Sequence, residues 1–128
     1  MNTERIKTDM LTRIAALGLS VTQSDSDMLD YTALRAASRV QSLCGLDLSA
    51  QSEDTVSALI SAAADIAAAD AAAIILSRGD GAVSSRTDGD VSVRYADGTS
   101  GGERVAAEIS RMRELGVAAA VRRRRFVW

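Results

Sequence analysis

The chain has 128 residues, 47% of them hydrophobic but only 3% aromatic, so one domain is expected, with a core built from Ala, Leu, Ile, Val and Met. It has no histidine and a single cysteine, Cys44, which removes His-based acid/base chemistry, Cys–His nucleophiles, internal disulfides and nearly every transition-metal site. The formal net charge of −2 is unevenly spread: Arg122, Arg123, Arg124 and Arg125 stand together, while residues 1–121 hold 11 basic against 17 acidic residues, a body of about −6.

In chain order, residues 3–17 place Ile6, Met10, Ile14 and Leu17 on one helical face, and Gly18 follows as a stop. The same stretch carries Glu4, Arg5, Lys7, Asp9 and Arg13, so no signal peptide is expected and a reducing cytoplasm is the expected compartment. Ser20–Ser26 is polar and turn-like. Ser24 or Ser26 can cap a second helix, with Asp27 and Asp30 near its positive end. Its apolar positions include Met28, Leu29, Ala36, Val40, Leu43 and Cys44, and Gly45 ends it.

Ser52 caps a third and longest helix, with Glu53 and Asp54 in its first turn and an end near Arg78-Gly79. At 100° per residue, Val56, Leu59, Ile60, Ala63, Ile66, Ala67 and Ile74 form one stripe, and Asp65 is expected opposite, in solvent. Asp70 falls inside the stripe. An unpaired carboxylate there would be costly, so it should meet an Arg, a helix end or another subunit. The remaining surface is nearly all Ala, a smooth helix that invites close neighbours. Subunit-to-subunit packing is expected through Ala64, Ala68, Asp70, Ala71 and Ile75. Val56–Leu76 approaches the length of a membrane span, but its Ala content, Asp65 and Asp70 argue against one, and no membrane contact is expected.

Gly79–Gly102 holds six of the nine glycines and three Asp-Gly pairs, and Val91, Val93 and Tyr95 alternate with Ser92, Arg94 and Ala96. This predicts a β-hairpin near 82–96 turning at Asp88-Gly89, or else a long Gly/Ser surface loop. A last helix is expected from about Gly102, with Val105, Ile109 and Met112 on one face. Leu115-Gly116 has the form of its C-terminal cap, after which Val117–Val121 resume the helix or extend. The fold class is therefore mostly α: a small bundle of about four helices with a hairpin or loop before the last. Residues 1–121 make one helical domain and 122–128 a basic-aromatic tail.

That tail is the sharpest local feature, because Arg122–Arg125 are followed by Phe126 and Trp128, two of the four aromatics. Arginines supply steering and forked hydrogen bonds and rings supply anchor area, which is what a docking segment needs. A disordered basic tail is the plainer alternative. A small regulatory protein that binds nucleic acid through the Arg cluster is another, weakened by an acidic body and by few phosphate contacts. Asp88, Asp90 and Asp97 lack the ligand set of a calcium loop, and Gly98-Thr99-Ser100-Gly101-Gly102 lacks the Lys of a phosphate loop. Ser84, Ser85 and Ser92 have no histidine to activate them. No enzyme activity, cofactor or metal is expected; only chemistry by Asp or Glu alone stays open.

The order of a polar start, two helices of which the second is Ala-rich, an Arg-Gly break, the stretch Ser84-Ser85 to Asp90-Val91-Ser92-Val93-Arg94-Tyr95, and a short last helix resembles the head-tail connector, or head-completion adaptor, family of tailed bacteriophages. The resemblance covers roughly residues 24–115 and rests on pattern and length. It implies a structural virion subunit located at the head-tail neck, made in the host cytoplasm, that forms a homo-oligomeric ring, a dodecamer in that family. Such a ring sits below the portal protein, extends the DNA channel and meets a stopper or tail-terminator protein. Genomic DNA would pass through without sequence-specific binding. By the same resemblance Val91, Val93, Arg94 and Tyr95 would be hairpin docking residues and the C-terminal segment a second docking element. The Arg122–Trp128 ending matches no family motif.

Overall fold

Asn2 opens the first helix: in a computed structural model its Oδ1 accepts from the backbone N–H groups of Glu4 (3.1 Å) and Arg5 (3.2 Å). The structure describes residues 1–78 and 101–124. It contains four helices, α1 (Thr3–Ala16), α2 (Ser26–Cys44), α3 (Glu53–Ser77) and α4 (Gly101–Arg124), and no strand among the described residues. The hairpin or loop expected near 82–96 lies outside them, with Val91, Val93, Arg94 and Tyr95; so do Arg125, Phe126 and Trp128.

The stops follow local chemistry. Gly18 takes the left-handed conformation (φ 81°), and its N–H donates to the Ala15 carbonyl while that of Leu19 donates to the Ile14 carbonyl. This doubly bonded ending also seals Leu19 against the core. Gly45 (φ 66°) ends α2 in the same region of backbone space. The start of α2 departs from expectation. Neither Ser24 nor Ser26 caps it; a turn of 3-10 helix, Gln23–Asp25, leads in, fixed by the Thr22 N–H donating to Asp25 Oδ2 at 2.9 Å. Ser52 does cap α3, its Oγ accepting from the Thr55 N–H at 3.3 Å.

Helix α3 is the centre, with α1, α2 and α4 all packed on it. Contacts fix the directions. Arg5 reaches Ser57 while Arg13 reaches Ser61 and Asp65, so α1 runs alongside α3 in the same sense. Arg113 meets Asp70 while Gly116 lies against Ala62 and Ile66, so α4 runs the opposite way. Helix α2 begins at the end of α3, where Arg78 holds Asp25 at 2.8 Å, and Lys7 of α1 ties to its Asp30 at 2.6 Å.

With three neighbours, α3 is covered nearly all round. Ala62, Ala63, Ala64, Ala67, Ala68, Ala69, Ala71 and Ala72 are buried with Leu59, Ile60, Ile66 and Ile75. Small side chains give little transfer energy each, so the larger stabilisation comes from the Ile and Leu positions, about 1.5–3 kcal/mol apiece. The alanines matter because they let helices approach. By length and hydropathy α3 could cross a membrane, yet 67% of its most apolar stretch is buried within the bundle, as a central core helix requires.

Three expectations are corrected here. Ala64, Ala68, Ala71 and Ile75 are all 0% exposed, so they pack the chain's own helices and have no surface to give a neighbouring subunit. Asp65 is not in open solvent: Arg13 donates to it from Nε at 2.6 Å, with the pair about three-quarters buried. Gly116 does not cap a helix, because α4 continues to Arg124; the expected boundary between body and tail at 121/122 therefore falls inside α4.

Candidate functional site

Asp70 has met one of the partners its position demanded. Its Oδ1 accepts from Nε (3.3 Å) and Nη2 (3.0 Å) of Arg113, joining α3 to α4. The pair is an internal tie, with the Asp70 side chain 26% exposed, and it neutralises a carboxylate within the apolar stripe. This takes Asp70 from the role of contacting another subunit to that of aligning two helices of its own chain.

Beside this tie is a cleft of about 390 Å³, lined by Arg35, Ser38, Arg39 and Ser42 of α2 and by Ile66 and Asp70 of α3. Spacings of three and four residues put the four α2 side chains on one face. Just before them, Tyr31 and Leu34 are exposed, and the Arg35 guanidinium lies over the Tyr31 ring at 5.9 Å from its centroid. No ion pair holds Arg35 or Arg39 among the described residues.

A second opening, about 500 Å³, lies between the start of α3 and the end of α4, lined by Ala58, Ala119, Arg122 and Arg123. Arg122 is exposed and Arg123 half-buried, while Arg124 is the last residue of α4. Three of the expected tail arginines therefore form the last turn of a helix. Cations are favoured there, since unpaired carbonyls make that end of the helix negative. No three His, Cys, Asp or Glu side chains gather as a metal site would need among the described residues.

No protein-family model, curated protein or solved structure matches the chain. Reading the sequence for core stripes missed Tyr31, Leu34, Arg35 and Arg39 on α2 and Leu115 and Val121 on α4. A signal was present. Tyr31, Leu34 and Ser38 fall opposite Leu29, Ala33, Ala36 and Val40 on the helical wheel, so large apolar groups on the polar side of α2 were visible in principle.

Proposed function

We propose that this chain is a structural, non-catalytic subunit of a tailed-phage head-tail connector, one member of a ring that sits on the portal and extends the DNA channel toward the tail. What carries the reading is the bundle's finished interior set against its unfinished exterior: the core is closed around α3, while α2 and α4 each leave large apolar side chains in solvent. An assembly subunit needs that combination, a rigid body with faces kept for other proteins. The family pattern over residues 24–115 adds the specific identity. In this reading the hairpin of residues 82–96, with Val91, Val93, Arg94 and Tyr95, and the ending Arg122–Trp128 are docking elements for portal and stopper, and the acidic body lets DNA slide past.

The experiment is to mix the chain with a tailed-phage portal protein and examine the product by mass measurement and negative-stain imaging. A ring of this chain on the portal, lost when residues 122–128 are deleted, is the expected result. Failure to associate with any virion component would end the proposal. Salt-dependent DNA binding that disappears with the same deletion would instead favour a nucleic-acid-binding regulator.

A further inference from the structure

The outward face of α2 is built in a way that its own fold does not need. At 100° per residue, Leu34, Ser38, Tyr31, Ser42, Arg35 and Arg39 follow one another across a single band, apolar at one edge, small in the middle and cationic at the other. Tyr31 and Leu34 are 58% and 59% exposed, so they add nothing to the core. On the cationic edge the band borders the cleft of about 390 Å³ floored by Ala36 and Ile66. Residues 31–46 contain no Asp or Glu. The carboxylates nearest the band are already used or stand apart: Asp70 is held by Arg113, Asp30 is tied to Lys7, and Asp27 lies two turns of helix before Arg35.

We infer that this face of α2 is the docking site for an acidic amphipathic helix of a different protein. Two carboxylates of that helix, one turn apart, pair with Arg35 and Arg39, and a large apolar side chain beside them enters the cleft over Ala36 and Ile66. The inference deepens the assembly role proposed above and rests on it. Charge selects the occupant. Arg35 and Arg39 are about 6 Å apart along the axis, the same rise that separates residues i and i+4 of any helix laid alongside, so each guanidinium fork meets its own carboxylate. Ser38 and Ser42 between the two edges let a second helix come close, and Tyr31 and Leu34 cover its apolar side. Tyr and Arg are also the side chains that carry most energy at such contacts. The partner is a different protein because the largest exposed apolar group on another helix, Leu115, stands in an outward row with Arg104, Arg111 and Arg122, which repels α2 instead of complementing it.

The test is fluorescence anisotropy of the full chain with a panel of labelled helical peptides, each carrying two glutamates four residues apart and a leucine stripe set at every angle to them. At least one angle should bind, and the same peptide with glutamine in place of glutamate should not. Arg39→Glu should weaken binding about tenfold, Leu34→Glu should weaken it without unfolding the chain, and a lysine version of the peptide should recover binding to the chain carrying both Arg35→Glu and Arg39→Glu. That recovery is what an unspecific surface attraction would not give. The inference is overturned if no panel member binds, or if binding survives the double arginine replacement unchanged. It is also overturned if sedimentation shows the chain associating with itself through Arg35 and Arg39, or if DNA and not the acidic peptides binds there. Rings formed with a portal protein while no peptide binds would leave the connector role standing and remove only this site; peptide binding by a chain that stays single with portal would keep the site and remove the connector role.

Discussion

A Cβ placed on Gly116 of α4 would stand 2.7 Å from the backbone carbonyl oxygen of Ala62 on α3 and 2.8 Å from a side-chain carbon of Ile66. The two helices touch there closely enough that only hydrogen fits. Gly116→Ala should therefore destabilise the chain by about 1–3 kcal/mol, because a backbone oxygen cannot rotate away and the helices must separate. The opposing gain in helix propensity is about 1 kcal/mol and does not win. Urea unfolding of the two proteins measures the difference; a more stable variant would show that the close approach is relaxed in solution.

Two further substitutions test where the alanines of α3 act. Ala68→Leu should cost about 1–3 kcal/mol in the isolated chain, since it overfills a position that is 0% exposed. Ala118→Leu, on the outer face of α4, should change stability by less than about 0.5 kcal/mol. If thermal unfolding leaves the Ala68→Leu chain as stable as the parent, the alanine row is not core.

Asp70 and Arg113 should be coupled. Replacing either by Ala should cost about 1 kcal/mol, and replacing both should cost less than the two losses together. The reason is that each single change leaves a half-buried charge without its partner, while the double change leaves none. A double-mutant cycle by denaturant titration measures it, and additive losses would mean the pair forms no tie.

Acid should weaken the chain through Asp25. The Arg78 guanidinium beside Asp25, and then the Thr22 N–H, hold its carboxyl below the usual carboxylate range. The folded chain therefore takes up this proton less readily than the unfolded chain does. The associated stability is present above the ordinary carboxylate pKa and is lost as the pH falls through the lower, folded-state value. Asp25→Asn keeps the shape and removes the titration. Its urea midpoint should be lower at neutral pH and should fall less steeply between about pH 5 and about pH 3. Parallel acid limbs for the two proteins would remove Asp25 as the cause.

Tyr31 and Leu34 should be dispensable for folding. Leu34→Glu is expected to leave unfolding free energy within about 0.5 kcal/mol of the parent, because the side chain lies more than half in solvent. Circular dichroism with urea titration checks this, and a large loss would place Leu34 in the core instead of on a docking face.

The local part of this protein was written in its sequence. Gly18, Gly45 and Ser52 end or begin helices through groups within a few residues of themselves, so neighbour chemistry was enough to locate α1, α2 and α3, and the lone Cys44 and missing histidines narrowed the chemistry before any fold was known. Tertiary structure alone decided which faces count. A helix with alanine on nearly every side has little angular preference, so its periodicity could not say that α3 is enclosed rather than offered to a neighbour. The partners of Asp65 and Asp70 lie 52 and 43 residues away along the chain, and a stop signal and a contact glycine look alike at Gly116. Each of those choices depends on which distant segment arrives beside the residue, and packing around α3 is what settles it.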